Sequence, residues 1–381
     1  MSAEAAAASG IGIAQTVLWG GFALGLAFGA VAQRANFCTM GALSDIVNMG
    51  HWGRARMWLL AMAVAIAGAT ALHLAGEVNL AHSIYRRGAT LPWLSLLLGG
   101  AIFGVGMTLA GGCANRNLLR LGGGSLRSLV VLAFMAISAY MTLKGLFGQW
   151  RSTWLDPVHV RLEGTPLATD ASLGQAVAAA SGLGAAQATL AVAVLLVAAL
   201  LFFVFKEVRF RRNALQVGSG IALGALIVAG WYLSGHLGYG ENPETLEQVY
   251  FATNTRTIES LSYVSPTAYT LELLMLWTDK ALHPSFGITS LAGIVVGAAL
   301  VARFTGTFRW EGFASLDDLK MQIAGAVLMG FGGVTALGCT VGQGLSGVST
   351  LALGAFIALA GLVLGCVATL RWLLWKAERE A

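Results

Sequence analysis

Three cysteines each follow a small or polar break in an otherwise apolar stretch: Asn36-Phe37-Cys38-Thr39, Gly111-Gly112-Cys113-Ala114-Asn115-Arg116, and Leu337-Gly338-Cys339-Thr340 with Gln343 just beyond. A thiol is a weak S–H donor with a polarizable sulfur. Glycine permits a turn, and the free amides at the start of the helix that follows would point at an anion. Thiols, amides and hydroxyls at such breaks therefore suit a shallow site that an anion enters and leaves. The competing chemistry is covalent, a mixed disulfide or persulfide between Cys113 or Cys339 and a sulfur substrate. Arg116 is the one charge inside a break and so a functional side chain by default; the alternative is that it snorkels to the nearby membrane face with Arg120 and Arg127. Cys366 lies in the last apolar run without a polar neighbour in sequence and reads as a small buried hydrophobe.

Other chemistries lack residues. None of the four cysteines has a CxxC or Cys/His partner, so neither a zinc nor an iron–sulfur centre is expected, and no cofactor is called for. The six histidines are scattered near the ends of apolar runs without an i, i+4 pair. No phosphate-binding glycine loop, dinucleotide fingerprint or nucleophile elbow stands in a plausible setting.

The elements that must position these breaks are membrane helices. Of 381 residues, 57% are hydrophobic and 11% charged, 50 are glycine, and the mean hydropathy is +0.74. Soluble domains carry about 25% charged residues, so a bilayer is the solvent in which this composition makes sense. Apolar runs at 11–32, 57–76, 93–112, 125–147, 185–205, 215–235, 286–304, 319–338 and 348–370 predict about nine transmembrane helices, with the breaks forming short re-entrant helices. The first 33 residues hold no Lys or Arg, so the positive region of a secretory signal is absent and the first run is expected to be a span. The net charge of +5 comes from basic residues at the ends of runs, which is topology information and not a nucleic-acid footprint. Most of the 23 Lys and Arg fall on one side if the N-terminus is outside and the C-terminus cytoplasmic, with Lys206–Arg212 the densest cluster. Trp52, Trp58, Trp93, Trp150, Trp154, Trp277, Trp310, Trp372 and Trp375 read as an aromatic belt against membrane lipid. The outside stretches, Gly148 to Gly184 with Arg151 and Arg161 and His236 to Pro266 with Glu241, Glu244, Glu247 and Glu259, are too short and apolar to be separate domains. Arg86 and Arg87 are also placed outside.

The chain repeats itself. Gly99–Cys113 matches Gly325–Cys339 at a constant offset of 226 residues, with Gly99, Gly104, Gly106, Ala110, Gly112 and Cys113 recurring as Gly325, Gly330, Gly332, Ala336, Gly338 and Cys339. An odd number of crossings separates the copies, so they run in opposite directions. The expectation is one membrane domain over 1–381, built of two inverted pseudo-symmetric repeats, 11–205 and 215–375, of the kind that place a transport site near the bilayer midplane. The glycines inside the runs, Gly104, Gly106, Gly330 and Gly332, read as close helix packing.

Arg34-Ala-Asn-Phe-Cys38, Gly111–Arg116, Leu337–Gly344 and Glu259-Ser-Leu-Ser-Tyr-Val-Ser-Pro266 resemble the YeeE/YedE family, over nearly the whole chain. The resemblance implies an hourglass-like, all-α carrier of the bacterial inner membrane for sulfur anions, chiefly thiosulfate. It places Cys38, Cys113 and Cys339 on the central path, holding the anion through S–H hydrogen bonds. It further implies a separate soluble sulfurtransferase of the TusA type as partner, no nucleic acid, and no enzymatic step. The expected path residues are Cys38, Cys113, Cys339, Asn36, Thr39, Gly112, Asn115, Arg116, Gly338, Thr340 and Gln343. Sulfide, sulfite and selenium species stay open as substrates, and a membrane persulfide enzyme stays open as the other class.

Overall fold

The computed structural model describes residues 3–86, 88–242, 247–313 and 315–380; Arg87 and Glu244 lie outside them. Its helices, in chain order, are α1 (Ala3–Arg34), α2 (Thr39–Met49), α3 (Gly53–Leu74), α4 (Trp93–Leu109), α5 (Ala114–Gly122), α6 (Leu126–Lys144), α7 (Leu146–Trp150), α8 (Leu173–Ser181), α9 (Ala185–Phe205), α10 (Val208–Arg211), α11 (Ala214–Tyr232), α12 (Ser265–Met275), α13 (Phe286–Phe304), α14 (Leu316–Thr335) and α15 (Leu353–Glu380). Two-residue strands Thr90–Leu91 and Val160–Arg161 pair, as do Tyr239–Glu241 and Gln248–Tyr250, so the fold is all-α apart from two small ribbons.

Eight spans among the described residues are long and apolar enough to cross a bilayer. The ninth expected crossing is α14, a 20-residue helix. Asp317, Asp318, Lys320 and Gln322 in its first turns lower its apolarity. They are held at that end, where Ser315 caps Asp318 N–H at 3.1 Å and Arg127 reaches Asp318 at 3.3 Å. The chain is a multi-pass helical membrane protein.

Packing follows a regular scheme. α1 lies along α13 and α11 along α3; α4 lies along α15 and α14 along α6; and α4 crosses α14. The α4–α14 crossing is made by glycine against main chain. A side chain at Gly332 would meet Phe103 N at 2.5 Å and Gly99 O at 2.6 Å, and one at Gly106 would meet Gly325 O at 2.7 Å. Gly104 abuts the α15 backbone at Leu362 and Gly330 abuts the α6 backbone at Met135. Small residues replace the hydrophobic driving force that lipid does not supply between helices. α9 is peripheral and leaves Leu195 and Phe202 exposed.

The stretch Gly148 to Gly184 is folded onto the bundle. Arg86, almost wholly buried, donates through Nε to Asp170 at 2.6 Å, through Nη2 to Asp170, and to Ser172 at 3.1 Å. A guanidinium fork on a carboxylate keeps a buried cation compensated.

One expectation needs correction. Trp58 is not in an interfacial belt: it is buried on α3 with its ring against Gly344. Cys366 is buried as expected, and Thr108 of α4, 258 residues away in the chain, donates to its Sγ at 3.3 Å.

Candidate transport path

All three breaks are built on one local plan. Each preceding helix ends in a Schellman motif, with a residue in the left-handed region two positions before the cysteine: Asn36 at φ 52°, Gly111 at φ 68°, Leu337 at φ 59°. The next N–H returns to the helix in each case: Phe37 to Ala32 O at 2.9 Å, Gly112 to Met107 O at 2.9 Å, Gly338 to Gly333 O at 2.8 Å. The cysteine then opens the next helical segment. Ala42, Asn117 and Gln343 N–H donate to the carbonyls of Cys38, Cys113 and Cys339 at 2.9, 3.0 and 2.7 Å.

In two of the three the sulfur itself caps: Gly41 N–H donates to Cys38 Sγ at 3.3 Å and Gly342 N–H to Cys339 Sγ at 3.4 Å, whereas the Cys113 side chain makes no capping bond to α5. This is the place usually taken by Ser, Thr, Asp or Asn. A thiol here sits at the positive end of a helix dipole, where negative charge is favoured. Leu337 holds a left-handed backbone without being glycine, at a cost of about 1–2 kcal/mol, whereas asparagine, as at Asn36, adopts it readily; such strain gathers at functional turns.

The three turns meet in the interior. Cys113 is wholly buried and has the Cys38 thiol as one neighbour and the Thr340 hydroxyl as another. All four cysteines are free thiols. After Cys339 the chain forms a wide π-type turn over Gly342–Gly347 in which every residue is buried. Gly342 and Gly344 are required there, since side chains would run into Ser262 and Trp58. Non-helical backbone at this depth is tolerated only within protein or along a cavity.

The expected path residues divide. Thr39, Gly112, Asn115, Gly338, Thr340 and Gln343 are buried around the cysteines, whereas Asn36 is exposed and accepts from Arg116 Nη1 at 3.3 Å at the open end beyond Cys38. Gly112 packs on the Arg116 side-chain stem and Gly338 on Gln343. Gln343 Nε2 donates to Ala336 O, and Asn117 Nδ2 donates to Gly112 O at 2.9 Å, so each amide ties off the helix end before its cysteine.

Several buried polar atoms here have no protein partner: Asn115 Oδ1, Thr340 Oγ1, Gln343 Oε1, Trp58 Nε1 and Tyr263 OH. Buried polar groups are nearly always paired, so a cluster of unpaired ones marks a place suited to a polar ligand or water. Sequence reading put Trp58 in the aromatic belt and Tyr263 within the Glu259–Pro266 motif, and neither among the path residues; the offset of 226, which sets Tyr263 against Phe37, carried a signal for the latter.

Toward the Cys339 side a cavity of about 160 Å³ opens, lined by Tyr85, Arg151, Asn254, Ser260, Ser262 and Leu337 among others. Glu259 also lines it. Desolvation raises its carboxyl above the ordinary range, opposed by the Thr255 hydroxyl donating at 2.7 Å. Arg151 lines the same wall, where its Nε donates to Asp156 at 3.2 Å. Asp45 and Glu272 are both compensated: Arg54 Nε donates to Asp45 and Lys144 Nζ to Glu272, each at 2.5 Å.

A multi-pass helical bundle with broken helices meeting at buried, unpaired polar groups belongs to the class of membrane transport proteins. The chain is a member of the sulphur-transport family, whose model matches residues 34–368. It is 27% identical to the thiosulfate transporter TsuA of Escherichia coli over 389 residues, covering 96% of this chain and 97% of that one. It is 25% identical to the thiosulfate transporter TsuA of Spirochaeta thermophila over 378 residues, covering 94% of this chain and all of the relative.

Proposed function

We propose that this chain carries thiosulfate intact across the bacterial inner membrane, along a path from the Arg151 cavity past Cys339 and Thr340 to Cys113, Cys38 and Arg116. The observation that carries the reading is the meeting of three cysteine-bearing turns, with Cys113 between Cys38 and Thr340. The two full-length relatives named as thiosulfate transporters support the substrate and a carrier, not an enzyme. Weak S–H donors suit passage, because each site must bind the anion and release it.

The two repeats, 11–205 and 215–375, supply the turns as an inverted pair. The reciprocal packing of α1 on α13 with α11 on α3, and of α4 on α15 with α14 on α6, supports this. The N-terminus lies outside and the C-terminus in the cytoplasm, supported by the Lys206–Arg212 cluster. Lipid covers the exposed apolar face of α9. On the cytoplasmic side a separate TusA-like sulfurtransferase receives the sulfur.

The test is uptake. Purified protein in liposomes should accumulate labelled thiosulfate at least tenfold over empty liposomes, and sulfate should not substitute for it. Equal accumulation of thiosulfate and sulfate would remove the proposal.

A further inference from the structure

We propose that Tyr263 is a fourth donor on the path, and that its hydroxyl takes the oxyanion end of the substrate while the thiols face the terminal sulfur. This rests on the thiosulfate reading above.

The position is matched to Cys38 by structure. Cys38 precedes α2 and its carbonyl accepts from Ala42 N–H at 2.9 Å; Val264 precedes α12 and its carbonyl accepts from Ala268 N–H at 3.3 Å. These pairs stand at the offset of 226 that relates the Gly-Cys helices. Where one copy has Phe37-Cys38, the other has Tyr263-Val264, so a thiol is lost and a hydroxyl gained on the neighbouring residue.

Packing does not explain the hydroxyl. Phe37 is 1% exposed and Tyr263 0%, and the rings are linked through Phe28, whose centroid lies 6.3 Å from Phe37 and 5.8 Å from Tyr263. A phenyl ring fills the one site, and a phenol fills the other with its oxygen buried and unpartnered. Burying an unpaired hydroxyl is unfavourable, so a phenylalanine would pack better unless the oxygen meets a passing ligand.

The surroundings point the same way. Gly342, whose N–H donates to Cys339 Sγ at 3.4 Å, packs against Ser262, the residue before Tyr263. The segment carrying Tyr263 is fastened to the π-type turn beyond Cys339 by Ser346 Oγ donating to Leu261 O at 2.7 Å. Tyr263 thus lies on a segment packed against the Cys339 turn, which brings a hard donor near a soft one. Thiosulfate has oxygens on its inner sulfur and a bare terminal sulfur, so this pair reads its two ends. A site built to hydrogen-bond a substrate discriminates strongly, because a wrong ligand leaves the site's polar group unpaired.

The experiment compares wild type with Tyr263→Phe in liposomes, measuring saturation by labelled thiosulfate, competition by hydrosulfide, and thermal unfolding in detergent. The expected result is a half-saturation constant raised about tenfold, undiminished competition by hydrosulfide, which has no oxyanion end, and an unfolding temperature equal to or above wild type. Unchanged saturation in the variant overturns the Tyr263 role and leaves thiosulfate transport standing. A lowered maximal rate with a lowered unfolding temperature and an unchanged half-saturation constant also overturns it, as a structural defect. No saturable uptake by the wild type overturns both readings.

Discussion

Cys113→Ser loses about 100-fold in thiosulfate uptake while the protein inserts and unfolds like wild type. The size follows from where the thiol is. Cys113 is fully buried where the three helix breaks meet, with Cys38 and Thr340 against it, so an anion following the proposed path passes its thiol. Serine keeps the volume class and can cap the α5 N-terminus at least as well. The fold is therefore spared. What changes is the donor, from a soft S–H to a harder O–H that forms tighter hydrogen bonds to its own neighbours, including the unpartnered Thr340 hydroxyl. A loss of 100-fold corresponds to roughly 2.7 kcal/mol at the barrier, within the range for removing one matched polar contact from a dry site. Cys339→Ser should behave alike. Cys366→Ser is the control: it is buried against Thr108 in the α4–α15 contact and should retain near-normal uptake. Initial uptake rates of the three variants at matched reconstitution decide the matter; normal rates in both Cys113→Ser and Cys339→Ser would remove the thiol path.

Gly332→Leu abolishes folded protein. Any side chain there runs into the Phe103 nitrogen and the Gly99 carbonyl of α4, and these are main-chain atoms of a helix that cannot step aside without moving α15 as well. Overpacking commonly costs about 1–3 kcal/mol where side chains can shift; against backbone on a central crossing the cost exceeds about 3 kcal/mol. Gly218→Leu, with nothing near its Cβ position on α11, should be harmless. The yield of monodisperse protein by size-exclusion chromatography in detergent checks both. A monodisperse Gly332→Leu protein would mean that the α4–α14 crossing is looser than its geometry implies.

The spans were legible because lipid demands long apolar runs, and the runs at 185–205 and 286–304 coincide with α9 and α13 to the residue. Edges moved where local chemistry outvoted hydropathy. α1 begins before its apolar run, in an alanine-rich stretch of high helix propensity. α15 begins at Leu353 and not near 348, since Leu351 turns at φ 57°. The cysteines could be read because they sit at breaks that recur, but Trp58 and Tyr263 could not. An indole or a phenol in an apolar run looks like belt or core until the structure shows its N–H or O–H buried without a partner. Asn36 and Arg116 were read as path residues from their neighbours in sequence; their bond to each other at the exposed end beyond Cys38 depends on α1 and α5 coming together.

The most direct test of the account is to label thiosulfate separately at its inner and outer sulfur and follow both labels into cells that lack their own thiosulfate uptake and express this chain. Passage of the intact anion requires both labels to accumulate together and in equal proportion. Accumulation of the outer sulfur alone would contradict it, because the chain would then be splitting its substrate at a thiol.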